Sequence, residues 1–397
     1  MDDAEEQSAL IPTGFDAGSY TSVRSLAAEG VNPVVASEYT DVPAAASRFC
    51  EEFVRIPSPH EDLVAYRDAL LGIAARPDVK TVLPLRPQDP YVFAKYADEF
   101  EPYVSLVTPP METLRTVQDR LKLVETAEAA GVPAPETRLL SEVDDWGEQR
   151  IVKSRYNLLV DEYLPSLSPR DVLTVKSIEH VEAGDRPDVE AIQESMQHDP
   201  IVQEFVDSSD EYLFGALYDH GEALTTFQHR QVRGDSYRGG GGVYRESIDD
   251  PELEAVGRKL LDHMDYHGLA CIEYMKDAET GEYVLTEINP RLWQSLPLAV
   301  EAGADFPLDY WYLATDQAEL IEDGYETGVG SHLLYGEFQH LLSVVSDDSP
   351  IVDRPSVAGT VGTIASSCLQ TPNFDVLKFD DPMPFLQGIG HFVRKRT

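Results

Sequence analysis

The chain has 397 residues, enough for two or three domains with cores of their own. Its 31 basic side chains stand against 71 acidic ones, a formal net charge of −40 that excludes a basic face for nucleic acid or anionic lipid. Disorder, the other reading of so much charge, is excluded by a 42% hydrophobic content that includes 19 Tyr and 14 Phe. The acids are spread along the whole chain, and such surfaces stay hydrated where salt screens their repulsion, so the composition reads as that of a salt-in, halophilic archaeal cell. Cys50, Cys271 and Cys368 are too few and too far apart for a disulfide framework or a zinc spacing. The opening Met1-Asp2-Asp3-Ala4-Glu5-Glu6 has neither a basic nor an apolar leader pattern, and no run reaches about 18 apolar residues. A cytoplasmic protein with no membrane contact is expected.

In chain order, the apolar run at 9–12 is followed by a predicted helix over 19–29 that Gly30 stops, then by strands over 31–36 and 79–85. Strand–helix–strand at this spacing predicts an open parallel sheet. Gly14 and Gly18 lack the three-glycine spacing of a dinucleotide fingerprint, which disfavours a dinucleotide enzyme. A single long helix is predicted over 110–130, ended by Gly131 with Pro133 and Pro135 beyond. Next come a strand opening at 151–153, a helix over 188–197, and strands over 201–206 and 211–218. Four consecutive glycines at 239–242 interrupt the chain. A helix over 251–265 precedes strands over 269–275 and 283–289, which flank a turn at 279–281. From 316 the chain reads as helical, including 332–345 and 384–393.

The two strands about the 279–281 turn carry the most chemistry. If the turn centres near Thr280, Glu273 lies opposite Glu287, and alternation puts Glu287, Asn289 and Arg291 on the same face. Two facing carboxylates repel unless a cation sits between them. Two Glu and one Asn are hard oxygen ligands suited to Mg²⁺, or to Mn²⁺ in its place. Arg291 can reach the same phosphates or a developing oxyanion. The plainer reading is a solvated hairpin in an acid-rich chain. Against it, Glu273 interrupts an otherwise apolar strand, and Asn289-Pro290-Arg291 is an unusual strand ending.

The Glu287-Ile288-Asn289-Pro290-Arg291 run, with Glu273 on the preceding strand, resembles the metal-binding hairpin of ATP-grasp enzymes. Asp119-Arg120 ahead of Gly131-Val132-Pro133-Ala134-Pro135 is similar to the start of that fold. Ile151-Val152-Lys153 resembles its phosphate-contacting lysine strand, Gln203-Glu204-Phe205-Val206 its adenine-lining strand, and Glu211 its ribose-binding acid. The segments occur in the same order over residues 108–315. The 291–307 and 381–386 segments point to the carboxylate–amine ligase-like branch. The resemblance implies an α/β fold with a parallel-sheet pre-ATP-grasp domain at 1–107, a two-part ATP-grasp domain at 108–315 and a helical segment at 316–397. It implies ATP bound by Arg120, Lys153, Gln203, Glu204, Phe205, Val206 and Glu211, with Glu273, Glu287 and Asn289 on the metal. The activity implied is ADP-forming ligation of a small carboxylate to a small amine through an acyl phosphate. The rivals are another acceptor, as in carboxylation or phosphotransfer, and a nucleotide-binding regulator without turnover. Apart from the resemblance, a homodimer is one expectation, with the oligomeric state left open by the sequence.

Arg230, Arg233 and Arg238 flank the four glycines, and clustered arginines in so acidic a chain suggest an anion to neutralise. Arg230 and Arg233 are therefore expected, with Arg291, on the reacting phosphate. The competing reading is that they pair with the chain's own surface carboxylates. Many ATP-grasp enzymes cover the phosphates with a small-residue loop after the lysine strand, but 156–169 holds no glycine, so the covering loop is open. His263 and His267 have a zinc-pair spacing with no third ligand in sight.

Overall fold

The computed structural model describes residues 7–175, 177–208, 210–348 and 352–394. The acidic hexapeptide at 1–6 lies outside them. The N-terminal part is a parallel sheet of β1 (Ser8–Pro12), β2 (Asn32–Ser37), β3 (Glu52–Arg55) and β4 (Val79–Val82), in the order β3-β2-β1-β4. Helices α1 (Ala17–Ala28) and α2 (Leu63–Ala74) cross over between its strands. Asp16 caps α1 by accepting from the Ser19 amide, and Asp62 caps α2 in the same way. The short α3 (Asp89–Lys95) and α4 (Ala97–Phe100) lead away from the sheet.

The single helix expected over 110–130 is two helices, α5 (Met111–Gln118) and α6 (Arg120–Ala130). Asp119 breaks them apart: its backbone is extended, its side chain caps α6 through the Leu121 amide, and it takes the Arg155 guanidinium at 2.7 Å. Gly131 ends α6 in the left-handed conformation, as a C-terminal glycine should.

A small antiparallel sheet follows, built from β5 (Thr137–Leu139), β6 (Arg150–Lys153), β7 (Ile178–Val181) and β8 (Ile201–Glu204) in the order β5-β8-β6-β7. Helix α7 (Val189–Met196) packs Ile192 and Met196 against Val152 and Val202 on one face.

The large sheet comprises β9 (Glu211–Asp219), β10 (Glu222–Ser236), β11 (Gly239–Ser247), β12 (Gly268–Lys276) and β13 (Tyr283–Asn289), with α8 (Pro251–His263) between β11 and β12. One face buries Phe214, Ala216, Ile272 and Leu285 under α6 and α8. On the other face, Leu213, Leu217 and Phe227 join Ile11, Val23 and Trp293 in a core shared with the N-terminal sheet and with α9 (Leu296–Ala302) and α10 (Phe306–Ala314). Gly215 makes room for Trp293, whose ring would lie 2.6 Å from any added Cβ.

The four glycines do not interrupt the chain. They open β11, whose irregular pairing with β10 they permit. Beyond 315 the regular elements among the described residues are helices joined by loops, with one exception. Strand β14 (Gly330–His332) pairs with β11 and completes the large sheet in the order β13-β12-β9-β10-β11-β14. Helices α11 (Leu334–Ser346), α12 (Val357–Gln370) and α13 (Met383–Arg394) follow. Helix α12 carries no charged residue, and it is inverted: it buries Thr360 and Ser367 while exposing Val357, Val361 and Leu369, the last 83% accessible. No helix among the described residues is long and apolar enough to cross a membrane.

Candidate active site

The β12–β13 register places Glu273 directly opposite Glu287. Asn289, two residues on along the same face, donates from Nδ2 to Glu287 Oε1 at 2.8 Å and to Glu273 Oε1 at 3.4 Å. A polar donor thus occupies the space between two carboxylates, where their chemistry calls for positive charge. Burial would raise the Glu287 carboxyl, but the Arg120 charge and hydrogen bonds from Asn289 and Arg120 hold it below the ordinary range. Among the described residues no cation touches Glu273. Desolvation in the cleft and the charge of Glu287 push it up, and the charges of Arg291 and Arg120 lower it only in part. Hard oxygen donors, one carboxylate of the pair lacking a counter-charge, and an amide able to present its oxygen fit a divalent metal.

On one side of this hairpin lies a cleft of about 340 Å³ between the two antiparallel sheets. Arg120 lines it, donating to Glu287 Oε2 at 2.8 Å and to the Ser154 carbonyl at 2.9 Å, while its buried Nε has no hydrogen-bond partner among the described residues. Lys153 lines it too, its pKa lowered to about 8 by burial and by the Arg120 charge. The Lys153 ammonium makes no hydrogen bond to a described residue. Gln203 shares its face of the small sheet, because Ile151 pairs with Gln203 and Lys153 with Ile201. Gln203 is buried and donates to Thr137 Oγ1 at 2.8 Å. Glu204 points to the opposite face, exposed, and accepts from the Glu136 amide. Phe205 and Val206 lie just past the end of β8, in the segment that joins the two sheets.

The glycine-free 156–169 segment is no cover for this cleft. It is docked on the N-terminal part through Leu158, Val160, the Lys95–Asp161 pair at 2.6 Å and the Arg115–Glu162 pair at 2.7 Å. Of that segment Asn157 and Leu158 line the cleft, together with Thr174, Val175, Ser177 and Ile178 from the chain that follows.

On the other side of the hairpin lies an inner cavity of about 180 Å³, lined by Glu273, Asn289 and Arg291 with Glu211, His229, Arg245 and Trp293. Asn289 and Arg291 line both spaces and stand at their junction. Glu211 is here beside Glu273, its carboxyl raised by burial. Three buried polar atoms of the lining residues lack a partner among the described residues: Arg245 Nε, Trp293 Nε1 and His229 Nδ1. Burial and the charge of Arg245 lower His229 to about 3, so its imidazole is neutral.

The arginines expected beside Arg291 are elsewhere. Arg230 lies on the face opposite Glu273, half-exposed, and pairs with Glu246 at 2.6 Å. Arg233, beyond a bulge in β10, is buried against Glu337 at 2.6 and 2.7 Å. Arg238 meets Asp347 at 3.2 Å. Each has a carboxylate of its own; those of Arg230 and Arg238 lie at the surface, as the competing reading had it, whereas Glu337 is buried. Arg245, which the sequence did not single out, takes the place in the cavity. Its Nη atoms hold Asp375 Oδ2 at 2.8 and 2.9 Å. Its signal was present, since Arg245 falls opposite Gln231 on the cleft face of the same hairpin. His267 pairs with Asp219 and stacks flat on His220.

Solved structures share this fold. The L-amino acid ligase of Bacillus licheniformis superposes with a TM-score of 0.57 at 15% identity, covering 82% of this chain and 79% of that one. The carboxyaminoimidazole ribonucleotide synthase of Aspergillus clavatus, solved with ATP, gives 0.57 at 16% identity over 80% and 78%. The biotin carboxylase domain dimer of the Hydrogenobacter thermophilus 2-oxoglutarate carboxylase, solved with MgADP, gives 0.58 at 12% identity over 81% and 71%. The chain has the ATP-grasp fold. No family model matches the sequence. Two rice (Oryza sativa subsp. japonica) proteins match short segments of it, acetyl-CoA carboxylase 2 at 43% over 54 residues and acetyl-CoA carboxylase 1 at 45% over 47 residues. These matches cover 14% and 12% of this chain and about 2% of each relative's length.

Proposed function

We propose that this chain is an ATP- and Mg²⁺-dependent carboxylate–amine ligase that releases ADP and phosphate. The observation that supports it is the in-register Glu273–Glu287 pair, bridged by Asn289, between a cleft bearing Arg120 and Lys153 and a cavity bearing Arg291. Glu273, Glu287 and Asn289 would hold Mg²⁺ or Mn²⁺, which when bound supplies charge neutralisation between nucleotide and carboxylate. Arg120 and Lys153 hold the phosphates of ATP. The backbone of Gln203, Glu204, Phe205 and Val206 forms the adenine edge of the site, while Glu211, expected on the ribose, lines the inner cavity instead of the cleft. The γ-phosphoryl group passes to a substrate carboxylate oxygen, freeing ADP. Arg291 holds the oxygens of the acyl phosphate at the junction of the two spaces. The amine nitrogen then attacks the acyl carbon, the bond to the phosphate oxygen breaks with its electron pair on phosphate, and the nitrogen gives up a proton.

The test is ADP release screened over carboxylates and amines in concentrated KCl, with hydroxylamine added in place of the amine to trap the activated acyl group as a hydroxamate. AMP and pyrophosphate as products would overturn the reading. The matches to carboxylase segments favour one alternative, carboxylation. It predicts bicarbonate-dependent ADP release with no amine present.

The same reading makes the protein a cytoplasmic enzyme of a salt-rich cell, acting on small molecules as a homodimer. The uncharged, outward-facing apolar stripe of α12 supports the dimer. Two bodies of charge −40 can meet there without bringing carboxylates together.

A further inference from the structure

A second, larger space of about 460 Å³ adjoins the inner cavity, with Gly241 and Gln294 lining both. Its walls include the β1–α1 loop at Phe15, the β10–β11 hairpin at Asp235 and Val243, α11 at Tyr335, and α13 at Phe392. The Phe15 ring is fixed by stacking on His391, with centroids 3.4 Å apart, and by contact with Tyr39 at 4.9 Å.

The two spaces differ in the donors they present. In the inner cavity Arg291, Arg245 Nε and Trp293 Nε1, the last two without a partner among the described residues, form a set of donors suited to a carboxylate, set beside the acids Glu211 and Glu273. Among the described residues no Arg or Lys lines the outer space. Its carboxylate, Asp235, accepts from Gln339 Nε2 at 3.2 Å and meets no Arg or Lys among the described residues. Every arginine flanking it on the hairpin is already committed, Arg233 to Glu337 and Arg238 to Asp347. Asp235 also stands at the boundary. Its Oδ1 lies where a Cβ on Gly240 would come within 2.2 Å, and Gly240 lines the inner cavity with a φ of +104°. Glycine there lets the carboxylate lie against the wall that separates the spaces.

We infer that the outer space binds the amine substrate, that Asp235 receives its ammonium group at the boundary, and that this amine carries an apolar body of aromatic size against Phe15, Tyr335 and Phe392. The volume fits such a body and is far larger than a simple alkylamine fills. The aromatic walls gain most from a flat ring. The inference rests on the ligase reading for the amine's role, but its binding test does not.

Calorimetric titration of the full-length protein in KCl, with and without MgADP, distinguishes the two. The probes are 2-phenylethylamine, ethylamine and 3-phenylpropionate, which separate the ring from the charge. 2-Phenylethylamine should bind about tenfold or more tightly than either of the others. Asp235→Asn keeps the shape and the Gln339 contact, and it should weaken 2-phenylethylamine about tenfold while leaving MgADP affinity unchanged. Gly241→Leu, which narrows the passage from the outer side, should weaken it as well. Equal affinity for the two amines, tighter binding of 3-phenylpropionate, or an indifferent Asp235→Asn would overturn the inference. MgADP binding with no amine binding overturns this assignment alone. Amine binding with no MgADP binding overturns the ligase reading and leaves the cavity assigned.

Discussion

Glu287 pairs with Arg120, and in the proposed reading it also holds a metal with Glu273; both roles need its negative charge. Glu287→Gln keeps the shape and the Asn289 contact but leaves a weak ligand, so ATP turnover should fall by several kcal/mol of transition-state stabilisation, to background. Circular dichroism should be unchanged, and near-normal ADP release at saturating Mg²⁺ would refute the metal assignment. Lys153 offers a pH signature. Its pKa is lowered to about 8, so above that pH the ammonium has largely lost its proton in the free protein. Phosphates arriving beside it favour the charged form, so binding MgADP at pH 9 should take up a proton, and affinity should decline from pH 8 to 10. Titrations in two buffers of different ionisation enthalpy measure the uptake, which Lys153→Gln should abolish; the same uptake in both proteins would count against Lys153. These residues were legible in the sequence because a charged side chain on an apolar strand is costly and rarely idle. Arg230 and Arg233 were misplaced for a reason one residue wide. Strand alternation sends Arg230 to the far face, and the bulge beyond Gln231 redirects Arg233, neither of which composition reveals.

Among elements, the β12–β13 hairpin could be read closely, since a central polar turn fixes its register and hence which side chains face one another. The 110–130 helix could not, because what breaks it is the ion pair between Asp119 and an arginine 36 residues away. The glycines of β11 read as an interruption because their partner strands, β10 and the short β14, are set by tertiary pairing. Helix α10 holds a feature with a measurable pH dependence. Asp305 caps it, accepting from the Leu308 amide, and Asp309 sits buried one turn on, its carboxyl raised to about 7 by burial and then by the charges of Asp305 and Asp323. The folded protein therefore keeps a proton that the unfolded chain releases near the ordinary carboxylate range. Stability from this group is complete below that range and is lost as pH rises through about 7. Asp309→Asn should stabilise the protein, and by about 2 kcal/mol more at pH 8 than at pH 5. Denaturant melts at the two pH values measure the difference, and a gain independent of pH would exclude the ionisation as its cause.

At the scale of the molecule, charge dominates. Repulsion among the acids reaches about 10 Å at 0.1 M salt but only about 3 Å at 1 M, so the melting temperature should be lower in about 0.1 M than in about 2 M KCl. The reverse order would contradict the halophilic reading. The same charge limits how copies can meet. Light scattering after gel filtration should give a dimer that Leu369→Glu dissociates, and a variant still dimeric would move the contact away from α12. The parts are also bound together across the whole length of the chain. Arg245 and Arg233 anchor Asp375 and Glu337 in the interior, Asp380 pairs with Arg24 at 3.1 Å, and Asp381 accepts from Ser47 Oγ at 2.6 Å and from the Arg48 amide. During synthesis on the ribosome, each of these carboxylates emerges after its partner. The two arginines of the large sheet, with Arg24, Ser47 and Arg48 of the N-terminal part, must therefore wait, solvated, until the 337–381 segment is free to fold back. A nascent chain can build the cleft beside Lys153 early, yet the wall of the outer space closes only when translation has passed α13.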